Sequence, residues 1–326
     1  MTLSVEKSVL FARLAYEPHP GQRRVHESKA QRRVLACGAR WGKSTVGAME
    51  AIAALLEPRP SLGWIAAPSY DLSERVFRIV ERVALEQLPH RVVAIERREH
   101  RIVLVNLAGT HSEVRAKSAD RPADLLGEGL DWMIVDEAAR IHRRVWETAL
   151  SQRLIDKRGW ALLLSTPAGS GWFRQAFKRG QNGRDPAYES WSAPSWENPR
   201  LDRATIEAER KRLGAEAFAQ EYGGEFLGAD LEPCDACGGP DAMAPGSVVL
   251  RTGEVLTLCP DCELPVQRDG RTLALRLADG RPGWKVIHLE RGAAWGAGDE
   301  RAEVAPPGAR ISETMLRPPE RRAASG

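Results

Sequence analysis

Val34-Leu35-Ala36-Cys37-Gly38-Ala39-Arg40-Trp41-Gly42-Lys43-Ser44 decides how the rest of this chain is read. An apolar run ends in a glycine-containing turn, Gly-Lys-Ser follows, and a helical pattern continues from Thr45 to Leu56. A phosphate-binding loop needs that order. A buried strand fixes the loop, the loop's backbone N–H groups converge on phosphate oxygens, and the next helix adds its partly positive N-terminus. Gly38, Ala39, Arg40, Trp41, Gly42, Lys43, Ser44 and Thr45 are therefore the expected nucleotide-binding stretch. Lys43 is placed to reach the β- and γ-phosphates, and the Ser44 hydroxyl to ligate Mg²⁺. The pattern departs from the usual one at Cys37, where glycine is standard and Gly38 comes one place late. A chance Gly-Lys-Ser is the bland alternative, and the strand–loop–helix context argues against it.

The 326 residues suffice for one large α/β domain plus a smaller unit. A net charge of only +3 supplies no bulk polybasic character, so any DNA contact must come from local patches. No apolar run approaches the ~20 residues of a membrane span, and the N-terminus lacks the apolar stretch of a signal peptide. A cytosolic setting is expected, in which the five cysteines read as metal ligands or buried thiols rather than disulfides.

Around the loop, residues 4–15 read as a short helix and Arg23 to Gln31 as another, after a break at His19-Pro20-Gly21. Gln22 carries both a donor and an acceptor and so suits an adenine edge, or else simply starts a helix. Leu62 to Ala67 is a buried strand closed by Pro68-Ser69-Tyr70-Asp71, with a helix to about Leu88. Strand–turn–helix repeated twice indicates a mainly parallel sheet with crossover helices. Arg91 to Glu96 and Arg101 to Leu107 alternate as hairpin strands do. Their arginines, with Arg97 and Arg98, read more readily as a solvated face than as phosphate ligands.

Trp132-Met133-Ile134-Val135-Asp136-Glu137 is the second site signal: four apolar residues, then two carboxylates at the strand's C-terminal end. Ligands bind at that edge of an open parallel sheet. Asp136 is the expected Mg²⁺ partner beside Ser44, and Glu137 the group that orients and deprotonates an attacking water. This reading sets the loop and the acidic pair on neighbouring strands, facing one another across bound magnesium. Trp160 to Pro167 is a further buried strand ending in Ser165 and Thr166. These hydroxyls either sense the γ-phosphate and couple its loss to movement, or cap the next helix. A strand from Tyr188 and two helices, Leu201 to Leu213 and Ala215 to Tyr222, end this part near Gly228.

Cys234-Asp-Ala-Cys237 and Cys259-Pro-Asp-Cys262 form two Cys-x-x-Cys pairs flanking a hairpin pattern at Val248 to Leu258. Four thiolates so spaced suit structural, tetrahedral Zn²⁺, and a thiol-redox pair is the weaker alternative. Leu273 to Leu277 and Trp284 to Leu289 suggest a last hairpin, and the stretch from Gly292 reads as a flexible tail. The expected organisation is residues 1–230 as an ATPase domain of the RecA-like (ASCE) P-loop class, 231–291 as a zinc-ribbon-like module and 292–326 as tail.

The ordered set of Gln22, Cys37 to Ser44, Ala66-Ala67-Pro68-Ser69-Tyr70, Leu125 to Gly129 with Asp131 to Ala138, Ser165-Thr166-Pro167-Ala168-Gly169, Asn198-Pro199 and Glu221 to Phe226 resembles the ATPase domain of a tailed-phage terminase large subunit. The resemblance implies an ATP- and Mg²⁺-dependent motor that drives double-stranded DNA into a procapsid in the cytoplasm of the bacterial host. It implies a homo-oligomeric ring working with a portal protein and a small terminase subunit, with no membrane role. It further implies that Arg40 contacts nucleotide and that a neighbour's arginine completes the site, for which Arg121 is the candidate. Family members continue into a nuclease, whereas about 100 residues remain after Phe226 with no run of strands ending in carboxylates. This chain is therefore expected to lack the nuclease and to rely on a separate one. The competing readings are a helicase-like or other DNA-remodelling ATPase, and a zinc-ribbon adaptor on an inactive NTPase scaffold.

Overall fold

The computed structural model of the chain describes residues 4–167, 171–181, 183 and 185–227, and beyond them the backbone of five short strands. The chain divides into two compact units, Met1–Ala168 with Phe173–Leu227, and Gly169–Trp172 with Gly228–Gly326.

The first unit is built on an eight-stranded sheet in the order β3-β4-β5-β2-β6-β7-β1-β8. Its strands are β1 (Arg32–Cys37), β2 (Leu62–Ala67), β3 (Val92–Glu96), β4 (Arg101–Val105), β5 (His111–Ser118), β6 (Trp132–Val135), β7 (Trp160–Ser165) and β8 (Tyr188–Ala193). From β5 to β8 every neighbouring pair is parallel, and only the β3–β4–β5 edge is antiparallel. The α/β class and mainly parallel sheet agree with the sequence expectation. Cys37, Ala67, Ser118, Val135, Ser165 and Ala193 thus end their strands on one edge.

Helices α1 (Lys7–Arg13), α2 (Pro20–Glu27), α3 (Lys43–Leu56) and α4 (Tyr70–Gln87) belong to the first half of this unit. The short α5 (Arg143–Val145), α6 (Trp172–Gln181), α7 (Arg203–Arg212) and α8 (Ala215–Glu221) follow. Pro20 opens α2 at a position where a missing N–H costs nothing, which is why that helix begins earlier than its periodicity suggests. α3 is buried at nearly every position, including Ala48, Ile52 and Leu55, so it is the central helix of the core rather than an amphipathic surface helix.

The sequence reading contained no strand at residues 111–118. β5 alternates partly exposed and buried residues, but its inward positions are Ser112, Val114, Ala116 and Ser118. Small and hydroxylated side chains carry little hydrophobic signal, so only pairing with β2 and β4 reveals the strand. The hairpin arginines serve the fold: Arg101 bridges Glu96 and Glu113, Arg97 meets Glu81, and Arg91 donates to the carbonyls of Val105 and Asn106.

A buried ionic cluster joins four elements. Glu50 of α3 is 1% exposed and contacts Lys7 Nζ at 2.8 Å, His26 Nδ1 at 2.7 Å and an Arg33 guanidinium nitrogen at 2.6 Å. Burial alone raises the Glu50 pKa, but Arg33, His26 and Lys7 together hold it well below the usual carboxylate range. Removing one partner of such a cluster typically costs about 3–5 kcal/mol, whereas an exposed pair contributes roughly 0–1 kcal/mol. The cluster therefore outweighs the chain's surface ion pairs as a constraint on where α1 and α2 sit.

In the second unit, β9 (Gly246–Val249) pairs antiparallel with β10 (Val255–Leu258), and β11 (Thr272–Arg276), β12 (Trp284–His288) and β13 (Ala302–Ala305) form an antiparallel sheet. β13 falls within the stretch expected to be tail. Cys234, Cys237, Cys259 and Cys262 lie outside the described residues. Among the described residues no helix is long and apolar enough to cross a membrane, and no three His, Cys, Asp or Glu converge as a metal cage.

Candidate nucleotide site

The loop leaves β1 at Cys37, whose buried thiol is pushed up to about 12. Gly38 follows at the point where the backbone needs room. A Cβ there would lie 2.3 Å from the Tyr222 carbonyl oxygen and 2.5 Å from Ser195 Oγ, which explains the glycine arriving one place late. Gly38→Ala is expected to lower stability by about 1–3 kcal/mol through this overpacking, read as a fall in the denaturation midpoint. An unchanged midpoint would mean that the Tyr222 segment yields freely.

The outer side of the loop is tied to chain far downstream. Gly38 N–H donates to Ala193 O at 3.0 Å, and Ala39 N–H to Glu221 O at 2.6 Å. Ser195 Oγ donates to Ala39 O, and Asn198 Nδ2 to Arg40 O at 2.8 Å. The Trp41 ring is 1% exposed and donates through Nε1 to Glu197 at 2.7 Å. Of the expected phosphate ligands, then, Gly38 and Ala39 have committed N–H groups, and Trp41 N–H turns back to Gly38 O at 3.3 Å. The N–H groups of Arg40, Gly42, Lys43, Ser44 and Thr45 have no acceptor among the described residues. Four of these surround the start of α3, where helix geometry leaves N–H groups free for an anion. Arg40 (φ 61°) and Gly42 (φ 106°) adopt left-handed backbone, which bends the loop around that point.

Lys43 is buried, and its ammonium donates to the carbonyls of Cys37 at 2.6 Å and Gly38 at 2.9 Å. Desolvation lowers its pKa, opposed by nearby Glu137 and Asp136. Ser44 Oγ lies 3.2 Å from Asp136 Oδ2, and Asp136 Oδ1 accepts from Glu137 N–H at 3.2 Å. Burial first, and the Glu137 charge second, push the Asp136 carboxyl up to about 6. Glu137 sits in left-handed backbone (φ 51°, ψ 41°), an arrangement disfavoured for a side chain with a Cβ and frequent at functional positions. Its Oε2 accepts from Ser165 Oγ at 3.5 Å, and the exposed Arg140 guanidinium stands 3.8 Å away.

The strands of this site are not neighbours as the sequence reading set them. β7 lies between β1 and β6 and brings Ser165 and the buried Thr166 up between the loop and the acidic pair. The helix following the loop restores proximity by carrying Ser44 across to Asp136. Arg40 is exposed at the loop tip. Arg121 is exposed three residues past β5, on the same sheet edge, capping a turn at Pro122–Leu125.

Gln22 is buried, with its carboxamide engaged at both ends: Oε1 accepts from His19 N–H at 3.2 Å, and Nε2 donates to Gly42 O at 3.4 Å. Beside it opens a cavity of about 360 Å³ lined by Tyr16, Arg23, Gly42, Thr45, Asn198 and Arg200 among others. The sequence reading missed this cavity, because Tyr16 and Arg200 come from opposite ends of the unit. Its contact with Gly42 and Thr45 puts it where a nucleoside would extend from a phosphate held at the start of α3.

Residues 34–236 match the family described as terminase large subunit, T4likevirus-type, N-terminal. The chain belongs to the terminase large-subunit family. It is 38% identical over 243 residues to the terminase large subunit of Thermus virus P23-45, a match covering 67% of this chain and 50% of that protein. It is 28% identical over 207 residues to the terminase large subunit of Escherichia phage T5, covering 61% of this chain and 45% of the relative. The terminase chain thus spans about half the length of the curated relatives it matches. Among solved structures, the ATPase domain of the Thermus phage P74-26 large terminase aligns with a TM-score of 0.59 at 39% identity, covering 67% of this chain and 98% of that one. The large terminase of the thermophilic bacteriophage D6E in complex with ADP aligns with a TM-score of 0.56 at 12% identity, covering 84% and 66%. That second likeness speaks for the fold alone.

Proposed function

We propose that this terminase chain is the ATP-hydrolysing subunit of a motor that moves double-stranded DNA into a viral procapsid. The observation that carries the reading is the meeting of Ser44 Oγ and Asp136 at 3.2 Å, with Glu137 next in the chain, beside the free N–H groups that begin α3. A hydroxyl and a buried carboxylate form the small oxygen donor set that suits Mg²⁺, which takes its other ligands from phosphates and water. Bound there, Mg²⁺ would offset phosphate charge. The N–H groups of Gly42 to Thr45 hold the phosphates. Lys43 exchanges its carbonyl partners for the β- and γ-phosphate oxygens, and Arg40 reaches in from the loop tip. Glu137 orients the water in line with the γ-phosphate and takes its proton. Ser165 and Thr166, between loop and base, are placed to register loss of the γ-phosphate.

In a ring of such chains in the host cytoplasm, Arg121 of one copy is the candidate to complete a neighbour's site. The portal protein, the small terminase subunit and a nuclease are the proposed partners. The zinc-ribbon-like module is carried on the same footing. What supports it is the spacing of the two Cys-x-x-Cys pairs in the sequence, with the β9–β10 hairpin between them.

The test is MgATP turnover by the purified chain, alone and with linear duplex DNA and portal-bearing procapsids. Turnover stimulated by DNA and procapsid is expected, together with one zinc per chain by elemental analysis. A chain that hydrolyses no ATP under any of these conditions overturns the motor reading.

A further inference from the structure

We propose that Glu50 and His26 are a positioning pair that sets the geometry of the phosphate loop from behind, acting through α2 and Gln22. The inference rests on the nucleotide-binding reading of the loop and adds residues to it that no motif marks.

Beyond its first turn the central helix is otherwise apolar, and a leucine at position 50 would bury more cheaply than a carboxylate. What the charge provides and an apolar contact does not is direction. His26 donates from Nδ1 to Glu50 at 2.7 Å, leaving Nε2 to accept from the Tyr16 hydroxyl at 3.0 Å. Lys7 Nζ donates to both Glu50 carboxylate oxygens and to His26 O at 3.0 Å. Arg33 binds Glu50 and also donates to Val25 O at 3.3 Å. The second turn of α2 is therefore gripped by ring and backbone together.

Gln22 lies one turn earlier on the same face of α2, because residues four apart stack along a helix. Its Nε2 meets Gly42 O, the carbonyl that also accepts the first helical bond of α3 from Val46 N–H at 3.1 Å. A Cβ on residue 42 would come within 2.5 Å of Gln22 Nε2, so the left-handed loop and the carboxamide fix one another. Advancing α2 by a single residue turns its face by about 100° and shifts it about 1.5 Å, which removes Gln22 from Gly42. Gly42 is where the consecutive run of free N–H groups begins. A grip at Glu50 thus determines, two turns into α3, how the anion-binding end of the same helix is presented.

The test is a double-mutant cycle read by MgADP affinity, measured by titration with a fluorescent ADP analogue well below each variant's Tm. His26→Ala is expected to weaken binding roughly 10-fold, the scale at which a small displacement of a binding group acts. His26→Gln keeps an N–H for Glu50 and should return to within about 3-fold of the parent. Gln22→Ala should weaken binding to a similar extent without lowering Tm, and the double variant should bind no more weakly than either single one. Where His26→Ala fails to fold, Tyr16→Phe takes its place, with a smaller loss that is likewise non-additive with Gln22→Ala. Parent-like affinity in folded His26→Ala, or losses that multiply in the double variant, overturn the positioning role while leaving the function intact. A parent chain that binds no nucleotide overturns both.

Discussion

Glu137→Gln is expected to cut MgATP turnover by roughly 10²–10³-fold while leaving MgATP affinity within about 3-fold of the parent, because general-base assistance is worth about that much. The variant keeps the size of the side chain, and its amide oxygen can still accept from Ser165 Oγ, which stands 3.5 Å from the carboxylate. It loses the ability to take a proton from water, together with a negative charge near Asp136 and Lys43. Steady-state phosphate release and equilibrium nucleotide binding, measured on one preparation, separate the two effects. Turnover within a factor of two of the parent would show that another group activates the water. Joint loss of binding and turnover would assign Glu137 to holding the site together.

Asp136→Asn should abolish hydrolysis and at the same time make the nucleotide-free protein more stable. The Asp136 carboxyl is buried and pushed up to about 6 from an ordinary 3.8. Its proton is therefore held more tightly in the folded state than in the unfolded one. The stability this confers is complete below about pH 4 and is lost as pH rises through 6, leaving a constant deficit at neutral pH. A shift of that size corresponds to at most about 3 kcal/mol. The asparagine carries no charge, so at pH 7.5 the variant should unfold at a higher denaturant concentration than the parent, and at pH 4 the two should coincide. MgATP should raise the melting temperature of the parent and not of the variant. A variant less stable than the parent at pH 7.5 would mean that the Ser44 and Glu137 N–H contacts outweigh desolvation.

The parts of the fold legible in the sequence are those whose signal is local. β2 and β7 are apolar runs of strand length, the loop follows directly on the buried end of β1 and runs into α3, and Asp136 and Glu137 follow directly on four buried residues. β5 was not legible, since its inward face is serine, valine and alanine and its identity comes from its partners. The Glu50 cluster gathers residues 7, 26, 33 and 50, no two of which form a motif. The loop shows the limit most clearly. Its glycines and lysine announce an anion site, yet which N–H groups remain free depends on carbonyls at Ala193 and Glu221, more than 150 residues later. Motif reading names the stretch and cannot apportion roles within it.

The strand that separates β1 from β6 has a consequence for what fits between loop and base. Adjacent strands lie about 4.8 Å apart, so two strand steps open a gap of nearly 10 Å at the sheet edge. In the proposed mechanism that gap is the space for a terminal phosphate with a water lined up behind it. With β7 threaded through the middle, the width of that space would be set by backbone pairing rather than by side-chain rotamers.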